Sequence, residues 1–199
     1  MWALRSLLPI IAIAAIALFF VMVASGPGSR VGRSWNYLTN GPAPIDNGNS
    51  AHATGTSVVG GPSLSAAKVD TILSNAGSPA AGTGNVFTLD SAEYNIDDAV
   101  ALAFFHHESS FGTSGIAVQT KSLGNIGCSD GYACIQGFRA YATWKDGIDD
   151  WFQLIKSVYV GSGLTTLSQI IPKYAPASEN DPSAYIAAVE SDMTSWRTM

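Results

Sequence analysis

The sequence predicts a mainly α, α+β domain in which a small β-hairpin lobe follows a central helix, with an apolar segment and a linker ahead of it. Three observations carry this. Apolar residues recur at helical spacing in several windows after Ser65. Between Ser122 and Trp144 that spacing gives way to turn residues and short alternating stretches. The run from Ala99 to Phe111 is mostly apolar and holds one acid, Glu108, the pattern of a helix buried in a core.

Composition bounds the answer. A chain of 199 residues with 47% hydrophobic and 13% charged residues can bury one core and carry extra segments. The formal net charge is -5, and every Asp and Glu lies at Asp46 or later. An acidic folded part excludes a nucleic-acid binder, because phosphate backbones need a basic footprint.

Residues 1–25 read as a membrane anchor or a signal segment. Leu7 to Ala24 is free of charge, and as a helix its length approaches about 27 Å, close to a bilayer's hydrocarbon core. A retained anchor is favoured because the run is long and includes bulky Phe19-Phe20-Val21-Met22. The cleaved-signal alternative rests on Arg5 and the small residues of Val23-Ala24-Ser25. Arginines flank both sides, so the positive-inside rule leaves orientation open. With the N-terminus inside, the expected location is the cell membrane, single-pass with the domain extracytoplasmic, or secretion after cleavage. Residues 26–63, rich in Gly, Pro, Ser and Asn, read as a flexible linker interrupted by Trp35 and Tyr37.

The folded domain is expected over 64–199. Ser65 caps a helix through Ala66, Val69, Ile72 and Leu73 that stops at Asn75 to Gly77. A short helix follows from Val86 to Glu93. Asn95 to Ser110 reads as the central helix, with Asp97 and Asp98 in its first turn, Ile96, Val100, Ala103/Phe104 and His107 on one face, and Gly112 ending it. Cys128, Cys134, Ile135, Phe138 and Tyr141 mark the hairpin region. Helices over Gly147–Tyr159, Thr166–Ile171 and Ser183–Trp196 complete the domain, the last capped by Asp181 or Ser183 with Pro182 at its first turn.

Cys128 and Cys134 flank an Asp130-Gly131 turn, and in an exported domain they form a disulfide most simply. Free thiols or half a metal site are the alternatives; no further Cys or His lies close by in sequence to complete the latter.

Glu108 is the candidate for chemistry. At the last turn of a mostly apolar helix, burial and the negative end of the helix dipole both disfavour its ionisation, and a carboxyl that keeps its proton near neutrality is a general acid. Around it runs Phe105-His106-His107-Glu108-Ser109-Ser110-Phe111-Gly112, and then Gly124-Asn125-Ile126-Gly127, Phe138-Arg139-Ala140-Tyr141, Asp146-Gly147-Ile148, Tyr174-Ala175-Pro176 and Tyr185. This ordered series, from about Ser65 to Trp196, resembles the bacterial glucosaminidases, endo-β-N-acetylglucosaminidases of the lysozyme-like superfamily. The resemblance implies a lysozyme-like fold, peptidoglycan glycan strands as partner, cleavage of the β-1,4 bond after N-acetylglucosamine, and Glu108 as the acid.

Glycoside cleavage also needs a group that stabilises positive charge on the sugar. The family often has an acid shortly before Phe-Arg-x-Tyr, where this chain has no Glu. Asp130 is the nearest candidate and doubles as a turn residue. Attack by the substrate's own N-acetyl group, or an aromatic such as Tyr174 or Tyr185, are the other routes. Asn125 either binds the acetamido group or fixes its own turn. Ser109, Tyr141 and Tyr185 are further substrate-binding candidates, and Trp144 and Trp151 offer stacking surfaces, with Trp151 expected in the core.

No cofactor is required, and no metal site follows from the spacing. His106 and His107 have Ser110 and Phe111 at i+4, where an H-E-x-x-H zinc site needs its second His. Ser109 and Ser110 lack a G-x-S-x-G elbow, and a disulfide would remove both thiolates from a Cys-His peptidase. Two alternatives remain: a lytic transglycosylase or muramidase on the same polymer, and a non-catalytic cell-wall-binding or assembly protein of the same fold. Oligomeric state is open.

Overall fold

The computed structural model describes residues 55–178 and 180–199. The anchor or signal segment and the linker up to residue 54, Trp35 and Tyr37 included, lie outside the described residues. Among the described residues no helix is long and apolar enough to cross a membrane.

Seven α-helices and one two-stranded sheet are described. Helix α1 (Ala66–Asn75) begins where Ser65 Oγ accepts from the Lys68 amide, as its sequence position demands. Helix α2 (Gly84–Tyr94) ends on Asn95 in the left-handed region, so the central helix α3 starts later than the sequence suggests, at Asp98, and runs to Ser109. Asp97 is the cap itself, its carboxylate accepting from the Ala99 amide at 2.9 Å. Asp98 accepts from the amides of Ser63 (2.8 Å) and Leu64 (3.1 Å). Burial still raises its pKa, because a second oxygen lies buried with no partner.

Helix α3 is the axis of the core. Every residue from Ala99 to Phe105 is fully buried, so the expected single apolar face is an all-round one. The remaining helices are α4 (Ala117–Thr120), α5 (Trp144–Leu154), α6 (Leu167–Tyr174) and α7 (Pro182–Thr198). Helix α7 packs along α3, and α2 packs against α1 and α5. Helix α5 opens on a reciprocal capping box between Thr143 and Asp146. Beyond Leu154 the chain does not stay α-helical to Tyr159 as its periodicity suggests; it widens into a π-helical turn over Ile155–Tyr159 and tightens to 3-10 geometry over Val160–Ser162.

The hairpin pairs β1 (Ala133–Ile135) antiparallel with β2 (Phe138–Ala140), Cys134 opposite Arg139. Its turn is Gln136-Gly137, both at positive φ (50° and 87°), the backbone a two-residue hairpin needs. Asp130-Gly131 turns the loop closed by the Cys128–Cys134 disulfide, so the pairing expected from sequence is present.

Order also begins earlier than Leu64. Val58 is 1% exposed, its amide donates to the Thr165 carbonyl (2.9 Å), and its carbonyl accepts from the Asp97 amide (3.0 Å). Two valines, Val58 and Val59, inside a Gly- and Ser-rich stretch are enough to dock it, an effect composition averages away.

Candidate active site

Glu108 sits in the last turn of α3, and the chain then turns through Ser110 and Phe111, both at positive φ (48° and 57°). Two consecutive non-glycine residues in that region are strained, and such strain concentrates at functional sites. Three hydrogen bonds fix the turn. Ser109 Oγ donates to the Leu123 carbonyl (2.8 Å), the Gly112 amide donates to Ser109 Oγ (2.9 Å), and Ser78 Oγ donates to the Phe111 carbonyl (2.7 Å).

The segment Ser122–Ile126 is thereby brought alongside the helix end. Asn125, at φ 46°, donates from Nδ2 to the backbone carbonyl of Glu108 at 2.6 Å, satisfying an otherwise orphaned helix-end acceptor. Its Oδ1 is buried without a partner. Tyr174 holds the same segment: its hydroxyl donates to the Gly124 carbonyl and accepts from Trp151 Nε1 at 3.1 Å. Gly124 is required there, since a Cβ would lie 2.4 Å from Trp151 Cδ1.

From α7, Tyr185 donates its hydroxyl to Glu108 Oε1 at 2.7 Å. The carboxyl is half-buried, and desolvation raises its pKa from 4.5 to about 7, opposed by the hydrogen bonds of Tyr185 and Asn125. The tyrosines respond in turn. Burial and then the charge of Glu108 push Tyr159 up to about 12 and Tyr174 and Tyr185 well above their ordinary value, so all three stay neutral hydroxyls beside the acid. An acid poised near neutrality among neutral donors is suited to proton delivery to a leaving oxygen.

The residues expected at the site divide accordingly. Glu108, Asn125, Tyr174 and Tyr185 are brought together. Ser109 is not available to substrate: it is 1% exposed and its hydroxyl is spent on the Leu123 and Phe105 carbonyls. Tyr141 points its hydroxyl at Asp150 Oδ2 (2.5 Å), an acceptor shared with Arg139 (2.7 Å), while Tyr132 binds the other oxygen (2.7 Å) and stacks under the Arg139 guanidinium. This cluster fastens the β-lobe to α5. Asp130 lies exposed in the disulfide loop, in a turn where the Tyr132 amide donates to the Ser129 carbonyl. The hydrogen-bond donors that the structure gives to Glu108 come instead from tyrosine, to its carboxyl, and asparagine, to its backbone carbonyl. Trp151 is in the core, fully buried against Phe104 and Phe105.

Sequence reasoning missed Asp150, Tyr159 and Asp192. Asp150 lies next to Asp149 in an amphipathic helix and looks solvated until Arg139 is placed beside it. Tyr159 is carried inward by the π-helical turn, which breaks the 3.6 spacing on which the reading relied. On α7, Asp192 falls seven residues, about two turns, after Tyr185, and meets the ring nitrogens of His106 (2.6 Å) and His107 (3.2 Å). Burial pushes the His107 imidazole down, and Asp192 opposes that shift.

No known family profile matches the sequence, and no curated protein does. Solved structures do match. The crystal structure of S. aureus autolysin E superposes with a TM-score of 0.56 at 16% identity, over 72% of this chain and 70% of that one. The chain has the autolysin E fold. Autolysin E in complex with the muropeptide NAM-L-Ala-D-iGlu matches at TM-score 0.55 and 16% identity, over 71% of each chain. A catalytic glutamate-to-alanine mutant of autolysin E in complex with the disaccharide NAG-NAM matches at TM-score 0.56 and 15% identity, over 75% of this chain and 74% of that one. The mostly helical architecture with one small sheet is the lysozyme-like α+β arrangement expected from sequence.

Proposed function

We propose that the domain is a peptidoglycan hydrolase that cleaves the β-1,4 bond between N-acetylglucosamine and N-acetylmuramic acid, with Glu108 as general acid. The observation that carries it is the placement of Glu108: a half-buried carboxyl at the strained end of the core helix, bonded through Oε1 to Tyr185, in a fold whose solved examples hold a muropeptide and NAG-NAM. Tyr185 and Asn125 orient the acid, and the neutral hydroxyls of Tyr159 and Tyr174 keep its surroundings free of competing charge. The apolar run Leu7–Ala24 belongs to the same proposal as a membrane anchor, from which a linker lets the domain reach glycan strands above the bilayer.

A lytic transglycosylase is the second possibility, favoured by one observation: the hydrogen bonds to Glu108 come from a tyrosine and an asparagine, with no second carboxylate as partner among the described residues. One experiment separates the two and tests both. Digestion of purified peptidoglycan followed by mass spectrometry should yield reducing N-acetylglucosamine ends; anhydro ends would assign the transglycosylase. Glu108→Gln should lower the rate about 10²- to 10⁴-fold while glycan binding persists. Unchanged biological activity in that variant would make the protein a binder of the wall.

A further inference from the structure

We propose that His106, His107 and Asp192 form a binding site for a divalent transition-metal ion of the zinc type, a site distinct from the Glu108 carboxyl. His106 Nδ1 and His107 Nε2 converge on the same oxygen, Asp192 Oδ2, at 2.6 and 3.2 Å. The candidate ligand atoms of the three residues all lie within 4.8 Å of one another, so small side-chain shifts bring each within coordination distance of one ion, about 2.0–2.2 Å. Two imidazoles and one carboxylate are borderline donors that select zinc, copper or nickel over calcium or magnesium, which take oxygen ligands.

Two further features set this trio apart from an incidental ion pair. The His106 ring is stacked flat on Phe111, centroids 4.8 Å apart and planes 8° apart, and is edged by Trp196, so its orientation is fixed before an ion arrives. The His107 ring packs against the Tyr185 ring of α7, centroids 5.4 Å apart, which limits its rotation. The three residues are partly open to solvent, which leaves an approach path and room for water to complete the coordination. Since the histidines belong to α3 and the aspartate to α7, a bound ion would staple together the two helices that carry Glu108 and Tyr185. Sequence spacing could not show this, because the third ligand lies 85 residues after His107 rather than at i+4.

The test uses the full chain, stripped with a chelator and titrated with zinc chloride in a calorimeter. One equivalent should bind with a Kd of about 10 μM or tighter. Calcium chloride should give no heat. Both His106→Gln and Asp192→Asn should weaken zinc at least about tenfold, and His52→Ala, which changes the chain's third histidine, should not. Absence of binding, or binding that survives in both variants or vanishes with His52, overturns the site. X-ray absorption on the wild-type zinc complex covers variants that fail to fold. Two imidazoles in the zinc shell support the proposal, and one or none overturns it.

Discussion

Glu108 carries opposite consequences for chemistry and for stability. Its folded pKa of about 7 exceeds the ordinary 4.5, so between those values the folded chain keeps a proton that the unfolded chain releases. Stability conferred by that proton is complete below pH 4.5 and is lost as pH rises through 7, a change of roughly 3 kcal/mol at most. Glu108→Gln has no proton to lose. In urea melts it should match wild type near pH 4 and exceed it at pH 8; equal stability at both would show that the carboxyl is not desolvated. Catalysis follows the same proton: with a chelator present to keep cations off the neighbouring histidines, activity should fall above about pH 7. Tyr185→Phe keeps the ring against Phe104 and His107 but removes a donor to the ionised carboxylate. That donor is worth on the order of 1 kcal/mol, so the alkaline limb should move upward by about 0.7 pH unit. A downward shift in the pH–rate profile would contradict the hydrogen bond's assigned direction.

The elements place these residues, and the β-lobe depends on one acid. Asp150 accepts from Arg139, Tyr132 and Tyr141, so removing its carboxylate strands a part-buried guanidinium whose Nε already lacks a partner. Asp150→Ala should therefore cost about 3–5 kcal/mol, with hydrogen exchange accelerating first in β1 and β2. A loss under 1 kcal/mol would mean the lobe is held by its disulfide and backbone pairing alone. Sequence made the helices legible wherever apolar spacing and caps agreed, as at Ser65 and Asp181, whose side chains accept the expected first-turn amides. It misplaced the start of α3 because Asp97 and Asp98 read equally well as first-turn acids or as a cap followed by a buried acceptor. Only the docking of Ser63 and Leu64 decides between these. It missed α4, four residues long, and the π-helical turn, which have no periodicity of their own. At the site, Glu108 was readable as the one acid in an apolar helical run, whereas its bonds to Asn125 and Tyr185, 17 and 77 residues away, come only from the fold. The Ser109 and Tyr141 hydroxyls are taken up by the Leu123 carbonyl and the Asp150 carboxylate, partners 14 and 9 residues away that no helical or strand spacing links to them.

Helix α3 is gripped at both ends by the same neighbour. Helix α7 runs antiparallel to it, with Tyr185 meeting Glu108 at one end and Arg197 pairing with Asp97 at the other. The N-terminal end is closed further by residues 56–60. The Leu167 amide donates to the Thr56 carbonyl (2.9 Å), the Gly60 amide to the Asn95 carbonyl (3.2 Å), and Thr56 Oγ1 to Glu190 on α7 (2.5 Å). These residues thus tie α2, α6 and α7 to the head of the helix whose far end holds the acid. A chain begun at Leu64 loses every one of these bonds, together with the Ser63 donors to Asp97 and Asp98, and leaves buried carboxylates short of partners. It should melt below a chain begun at Gly55. Truncation also removes the entropy cost of ordering the segment, so a point substitution isolates the packing. Val58→Ala deletes two buried carbons from a site 1% exposed and should cost about 2 kcal/mol in urea melts. Equal melting of the two truncations, with a silent Val58→Ala, would return residues 55–63 to the linker and leave α7 as the sole clamp on α3.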